Sequence, residues 1–164
     1  MIALDFDGVV ANYSDHTTTI RLNTGLLALL PRQRQPVVIC TNQGGMAFSR
    51  LNPAKYPTPL QVAQRLNAGR NFLTRNGYPV AAIFASTYHP KADPAEIQRV
   101  AQELRELISV VVPRWHVYTT ERARKPHAFM LKVAGATVYY GDSPEDQQAA
   151  SAAGVPFVAV PRFL

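Results

Sequence analysis

Two carboxylates flank a single phenylalanine near the start of the chain, in the run Asp5-Phe6-Asp7-Gly8. The apolar or small residues 1–4 before them predict a short buried strand, and such a strand seldom carries carboxylates into a core. Asp5 and Asp7 are therefore expected where the strand ends. Paired carboxylates there can serve as a nucleophile, as an acid and base, or as metal ligands. The alternative is a turn that ends the strand, because Asp and Gly both favour turns.

Further polar groups follow other apolar runs of the chain. Thr41-Asn42-Gln43 comes after one such run, Gly141-Asp142 comes after another, and Asp146 follows four residues later. Lys125 and its neighbour Arg124 precede a predicted helix. Ligands of parallel α/β sheets bind beyond the carboxyl ends of the strands, near the point where the strand order reverses. These side chains are therefore expected to converge on one edge of the sheet.

The elements that must position these groups alternate along the chain. Short apolar runs predict strands buried on both faces at residues 37–40, 81–85, 136–140 and 157–160, with one extra strand within 110–119. Helices are predicted over 20–30, from 59 to the region of 76, and from 94 to the region of 108, with two more starting near Pro126 and Pro144. This alternation predicts one α/β domain over residues 1–164, built around a central parallel sheet.

Composition narrows the class of protein. Hydrophobic residues make up 47% of the chain and charged residues 17%, which is typical of a folded globular domain. Cys40 is the sole cysteine, so an intramolecular disulfide and a multi-cysteine zinc site are excluded. With no leader-like start and no membrane-length apolar run, we expect a cytoplasmic protein without a membrane partner. The net charge of +6 suits an anionic partner, or reflects arginines scattered over the surface.

The four motifs, taken in order, carry a resemblance to a known family. Asp5-Phe6-Asp7-Gly8, Thr41-Asn42-Gln43, Lys125-Pro126 and Gly141-Asp142 with Asp146 resemble the motifs of the haloacid dehalogenase superfamily of phosphohydrolases. The resemblance spans residues 5–146. Within the superfamily it is similar to the capless subclass III branch of histidinol phosphatase, heptose bisphosphate phosphatase and the polynucleotide 3′-phosphatase domains. It implies a three-layer, Rossmann-like fold with no large cap domain.

The resemblance also implies an activity, that of a Mg²⁺-dependent phosphomonoester hydrolase working through an aspartyl-phosphate intermediate. In that scheme Asp5 attacks phosphorus, and Asp7 protonates the leaving alcohol and then deprotonates the hydrolytic water. Mg²⁺ would be held by Asp5, the Asp7 main-chain carbonyl and Asp142. Asp146 would support the metal shell through water or by orienting Lys125.

The same resemblance assigns the phosphate contacts. Thr41 and the Asn42 amide would hold the transferring phosphoryl oxygens, and Lys125 would neutralise the charge that builds on them. One departure from the branch is Phe129, which stands where a glycine is common. A second is that one cysteine cannot build the usual zinc loop, which counts against heptose bisphosphate phosphatase in particular.

The substrate is left open between two classes. The segments between motifs are too short for a cap domain, and an open site suits a bulky phosphorylated end such as a nucleic-acid 3′ end. Tyr13, Tyr88 and Trp115 are candidates for stacking on bases or for the core, and His89 for an ordinary loop residue or a pocket residue. The alternative is a small-metabolite phosphatase acting on a sugar phosphate, histidinol phosphate or nucleotide. A non-catalytic α/β binding module is a third interpretation.

Overall fold

Six parallel strands form the centre of the protein. The computed structural model describes residues 1–13, 19–108 and 115–164. The strands are β1 (Ile2–Leu4), β2 (Val37–Asn42), β3 (Val80–Ser86), β4 (Trp115–Tyr118), β5 (Val138–Gly141) and β6 (Phe157–Ala159). They lie in the order β4-β3-β2-β1-β5-β6, and every neighbouring pair is parallel. The predicted central parallel sheet is confirmed.

Helices cover both faces of this sheet. They are α1 (Leu26–Leu29), α2 (Pro59–Arg75), α3 (Pro94–Ile108), α4 (Phe129–Val133) and α5 (Pro144–Ala153), with short 3-10 turns at Gly44–Phe48 and Glu121–Ala123. Leu66 of α2 and Leu104 of α3 belong to one buried cluster with Ile39 of β2. Met130 of α4 belongs to a second cluster with Cys40, the next residue of the same strand. Successive residues of a strand point to opposite faces, so the fold has three layers and is Rossmann-like, as expected.

The starts of two helices follow from local sequence. Thr58 accepts a hydrogen bond from the Gln61 amide, and the Gln61 side chain accepts one from the Thr58 amide. Ser143 and Asp146 form the equivalent pair at the start of α5. Each pair satisfies main-chain donors that a helix start leaves unpaired, and a proline follows each capping residue where its missing N–H costs nothing.

The helix predicted over residues 20–30 is wrong except at Leu26–Leu29. Residues before α1 instead pair with the loop after β1. The Asn12 amide donates to the Arg21 carbonyl at 3.0 Å, and the Asn23 amide donates to the Val10 carbonyl at 2.9 Å. The leucine spacing resembled a helix face, but these tertiary hydrogen bonds hold residues 21–23 in non-helical backbone.

Other boundaries differ by smaller amounts. The helix expected near Pro126 begins at Phe129, because the His127 amide closes a turn onto the Arg124 carbonyl first. Strand β5 begins at Val138, two residues later than predicted. The extra strand within 110–119 is present at Trp115–Tyr118, while residues 109–114 lie outside the described part of the chain.

The connections after β1 and β2 are short elements. In the described residues, β1 is joined to β2 through α1, and β2 is joined to β3 through a 3-10 turn and α2. These stretches therefore contain no inserted cap domain, in line with the expectation. No helix in the described ranges has the length and apolar character needed to cross a bilayer.

Candidate active site

The predicted site residues meet at the carboxyl ends of the central strands. Strand β1 lies between β2 and β5, and the strand order reverses at that point. Asp5 directly follows β1, Thr41 and Asn42 end β2, and Asp142 directly follows β5. Such a reversal opens a crevice between loops that leave in opposite directions, which is where α/β proteins bind ligands.

A buried lysine forms the centre of the site. The Lys125 side chain is 4% exposed, and its ammonium group has four acceptors within reach. They are Asp5 Oδ1 at 2.8 Å, Asp146 Oδ1 at 2.7 Å, the Tyr139 hydroxyl at 2.8 Å and the Cys40 carbonyl at 3.2 Å. Burial acts to lower the pKa of Lys125, but the two carboxylates outweigh it and raise that pKa above its ordinary value. The lysine is therefore a fixed cation.

Both oxygens of the Asp146 carboxylate are occupied by protein donors. Oδ1 accepts from Lys125 and from the Tyr139 hydroxyl, while Oδ2 accepts from the Ser143 hydroxyl and from the amides of Asp142 and Ser143. Burial acts to raise the pKa of Asp146, but Lys125 and these hydrogen bonds hold it at about 2. Of the two roles predicted for Asp146, this geometry favours orienting the lysine.

Three carboxylates share the neighbourhood of that lysine. Oxygens of Asp5, Asp142 and Asp146 lie within 4.8 Å of one another. Burial raises the pKa of Asp5 well above its ordinary value, and Lys125 opposes this shift. Burial also raises the pKa of Asp142, although a hydrogen bond from Arg162 works against it. The high pKa values mean that the nearby cations only partly compensate the buried negative charge.

This charge imbalance and the oxygen donors together fit a hard divalent cation such as Mg²⁺. Asp146 is saturated by its hydrogen bonds, so Asp5 and Asp142 are the carboxylates of the cluster with capacity left for an ion. Within the described residues, the Phe6 amide and Lys125 both donate to Asp5 Oδ1 rather than to Oδ2, which suits Oδ2 for a ligand or a nucleophilic role.

Asp7 lies next to the acidic cluster, and its carboxylate is held by different partners. Its Oδ2 accepts from Gln43 Nε2 at 2.9 Å, and its Oδ1 accepts from Arg65 Nη2 at 3.1 Å. The Asp7 side chain is 32% exposed, so a substrate in the cleft can reach it. This placement separates the two aspartates of the first motif by environment, with Asp5 buried beside Lys125 and Asp7 at the cleft wall.

The Thr41 and Asn42 side chains are engaged within the site. The Asn42 amide group donates to the Lys125 carbonyl at 3.1 Å and accepts from the Lys125 main-chain N–H at 3.0 Å. It therefore fixes the loop that carries the lysine. The Thr41 hydroxyl is buried and accepts a hydrogen bond from Gln43 Nε2 at 2.9 Å. Gln43 thus connects Thr41 with Asp7.

Several residues of the site carried no individual signal in the sequence. Tyr139 lies inside an apolar strand run, and Arg65 and Arg162 are two of many basic residues. Arg65 lies 58 residues from its partner Asp7, Arg162 lies 20 from Asp142, and Tyr139 lies 14 from Lys125, so the fold brings each pair together. Gln43 is the exception, because it belongs to the second motif, Thr41-Asn42-Gln43, although no role was predicted for it.

Two adjoining clefts border these residues. The larger, about 280 Å³, is polar and includes Asp5, Asp142, Lys125 and Arg124 in its lining. The smaller, about 190 Å³, begins at Asp7 and has a more apolar lining, which includes Phe6, Tyr13, Lys55, Pro57, Val62, Arg65 and Leu66 together with Asn42, Gln43 and Gly45. Asp7 and Tyr13 line both clefts. A ligand that spans the boundary would therefore pass directly over the Asp7 carboxylate.

The aromatic and histidine candidates fall in different places. Tyr13 is 50% exposed beside both clefts. Trp115 and Tyr88 pack against the hydrophobic core. The His89 ring packs edge-on against Phe48, with 4.9 Å between the ring centroids, and His89 is not among the described residues that line the two clefts. Tyr13 is thus the candidate with a position suited to substrate contact.

Comparison with known proteins finds no matching family model, and searches of curated proteins and solved structures find no significant similarity. The fold and the geometry of the site therefore carry the functional argument by themselves.

Gly8 is a position where a side chain would collide with a residue of the site. Its φ is +83°, and a Cβ there would lie 2.1 Å from Asp142 Oδ2. We expect Gly8→Ala to lower the free energy of unfolding by roughly 2 to 4 kcal/mol, through left-handed strain and displacement of Asp142. Urea unfolding measures this change.

Gly154→Ala provides the matched control for Gly8→Ala. Gly154 has a φ of +71° and nothing within 4 Å of a built Cβ, so the substitution adds the strain without the collision. We expect a loss of roughly 1 kcal/mol. Equal losses in the two variants would contradict the close approach between Gly8 and Asp142.

Proposed function

We propose that this protein is a Mg²⁺-dependent phosphomonoester hydrolase of the haloacid dehalogenase superfamily. The observation that carries the proposal is Lys125, buried between Asp5 and Asp146 at the point where the strand order reverses, with Asp142 beside it. A nucleophilic carboxylate that attacks a phosphate dianion needs cations next to it to offset the repulsion. The bound metal would supply Lewis-acid charge neutralisation at Asp5 and Asp142.

Asp5 and Asp7 have different roles in the proposed reaction: Asp5 is the nucleophile, and Asp7 is the acid and then the base. Asp5 Oδ2 forms a bond to phosphorus while the bond from phosphorus to the leaving oxygen breaks, and a protonated Asp7 gives its proton to that oxygen. In the second half, Asp7 takes a proton from water as the water oxygen attacks the aspartyl-phosphate, which releases inorganic phosphate and restores Asp5. The exposed position of Asp7 at the boundary of the two clefts supports this assignment.

The neighbouring groups stabilise charge and geometry. Lys125 faces the phosphoryl oxygens as a preformed cation that need not reorganise during the reaction. The Asn42 side chain is committed to the Lys125 loop, so in this proposal the Asn42 main-chain N–H contacts the phosphoryl group. Gln43 positions both the Asp7 carboxylate and the Thr41 hydroxyl.

The lining of the smaller cleft indicates which kind of leaving group the site would accept. It starts at Asp7, where the leaving oxygen would depart, and combines apolar residues with Tyr13 and the cations Lys55 and Arg65. A leaving group with a flat apolar part and its own negative charge fits this lining, which favours the terminal nucleotide of a nucleic-acid 3′ end. A small phosphorylated metabolite is the second candidate, because the larger cleft alone can accept a phosphate group.

A substrate panel tests the proposed function. It contains a 3′-phosphorylated oligonucleotide, a 5′-phosphorylated one, free nucleotides, sugar phosphates and histidinol phosphate, each with Mg²⁺ or with EDTA. We expect phosphate release in Mg²⁺ and none in EDTA, with the 3′-phosphorylated oligonucleotide preferred. Preference for a small phosphate would refute the nucleic-acid substrate, and no release from any compound would favour the non-catalytic binding module.

A further inference from the structure

One of the proposed metal ligands, Asp142, already forms a hydrogen-bonded ion pair with an arginine. Arg162, three residues after the end of β6, places its Nε 2.7 Å from Asp142 Oδ2. The Asp142 side chain is 3% exposed, whereas that of Arg162 is 40% exposed. The carboxylate is therefore fixed in the protein, and the guanidinium is the partner with freedom to move.

The segment that carries Arg162 is tied to the loop after β1. The Phe163 amide donates to the Gly8 carbonyl at 2.9 Å, and the Tyr13 amide donates to the Phe163 carbonyl at 2.6 Å. The guanidinium of Arg162 lies 4.2 Å from the centre of the Tyr13 ring. Both side chains line the larger cleft, so a guanidinium that leaves Asp142 but stays stacked on the Tyr13 ring remains at this cleft.

We propose that Arg162 and the divalent cation compete for Asp142, and that Arg162 moves from Asp142 to the substrate's phosphoryl oxygens when the cation binds. This inference rests on the proposed function, since it uses the same metal and phosphate sites. It assigns Arg162 as a phosphate-binding residue that the four motifs do not contain.

Space and charge at Asp142 both argue for competition. A Cβ on Gly8 would lie 2.1 Å from Asp142 Oδ2, so the loop already closes one side of that oxygen and the guanidinium closes another. A doubly charged ion at the same carboxylate would also repel the guanidinium. Once released from Asp142, the Arg162 guanidinium is suited to phosphate binding, because a guanidinium can donate two parallel hydrogen bonds to phosphoryl oxygens.

The first experiment measures Mg²⁺ binding without substrate. Isothermal titration calorimetry compares the wild type with Arg162→Gln, which keeps length and polarity but removes the charge. We expect Arg162→Gln to bind Mg²⁺ about fivefold more tightly, the size expected for removing a partly exposed competing ion pair. Unchanged or weaker Mg²⁺ binding would overturn the inference.

Arg21→Gln is the matched control for that titration. The Arg21 guanidinium lies 5.3 Å from the centre of the Phe163 ring and donates to the Leu164 carbonyl. It therefore holds the same segment without contacting Asp142. We expect Mg²⁺ affinity in Arg21→Gln to match the wild type, and tightening equal to that of Arg162→Gln would overturn competition as the cause.

The second experiment measures phosphate binding at saturating Mg²⁺. We expect Arg162→Gln to bind inorganic phosphate roughly tenfold more weakly, with partial recovery in Arg162→Lys, because a charge-assisted contact is lost and then partly replaced. With an active substrate, KM should rise while kcat changes less than about threefold. Unchanged phosphate affinity would overturn the transfer of Arg162 to phosphate.

The two proposals fail in different ways. If the wild-type protein binds Mg²⁺ but releases phosphate from no compound, the proposed hydrolase function is refuted. This holds whether or not Arg162→Gln changes the Mg²⁺ affinity. Efficient hydrolysis together with identical Mg²⁺ affinity in the wild type and Arg162→Gln refutes the inference alone.

Discussion

Replacement of Asp5 by asparagine is expected to abolish phosphate release and to leave the metal-free protein at least as stable as the wild type. The amide cannot form the acyl phosphate, so kcat should fall on the order of 10⁴-fold or more. Stability should not fall, because Asp5 is one of three clustered carboxylates and burial raises its pKa well above the ordinary value. An uncharged side chain of the same shape removes that unfavourable charge.

Three measurements test the Asp5→Asn expectation. They are phosphate release, the thermal midpoint without metal, and the increase of that midpoint on adding Mg²⁺, which should be largely lost in the variant. Asp93→Asn is the control, since Asp93 caps α3 through its side-chain oxygen and lies outside the cluster. Activity in Asp5→Asn within tenfold of the wild type would contradict the nucleophile assignment, and a lowered midpoint would contradict the charge argument.

Replacement of Lys125 by methionine is expected to have the largest effect on stability. It removes the ammonium that pairs with Asp5 and Asp146 and leaves both carboxylates buried without it. Breaking a buried ion pair from one side typically costs 3 to 5 kcal/mol, roughly the range we expect for the free energy of unfolding. Urea unfolding in EDTA measures the loss, and activity should disappear as well because the phosphoryl oxygens lose their fixed cation.

A double variant distinguishes lost charge pairing from lost packing. Lys125→Met combined with Asp5→Asn should recover at least roughly 1 kcal/mol relative to Lys125→Met alone, since one unpaired carboxylate is gone. Lys132→Met is the control at an exposed lysine of α4 and should change stability by less than about 0.5 kcal/mol. No recovery in the double variant would show that packing, rather than charge, dominates at this position.

The sheet could be predicted because its strands are continuous apolar runs. Residues 37–40 and 82–85 are buried, so nearly every residue is apolar and the run itself marks the strand. The region before α1 could not be predicted in this way. Leu22 forms an isolated bridge with Ala11, whereas Leu26 begins a helix, and both choices satisfy the same leucine spacing.

The site was partly predictable for a related reason. Strand ends indicate which polar residues can meet, and this rule placed Asp5, Thr41 and Asp142 at one edge. It gave no indication of Tyr139, whose ring is buried on one face of the sheet while its hydroxyl reaches Lys125. Contacts of this kind depend on side-chain length and on register between strands, which a linear pattern does not contain.

The capping carboxylate of α5 links the folding of one helix to the chemistry of the cleft. The Asp146 carboxylate accepts one of the two capping hydrogen bonds at the start of α5, from the Ser143 amide, and its other oxygen accepts from the ammonium of Lys125. When the first turn of α5 opens, the lysine loses one of its two carboxylate partners at the same moment. The fraction of molecules competent for catalysis would then follow the local opening equilibrium of α5, so that heat or denaturant could inactivate the cleft while the six-stranded sheet is still intact.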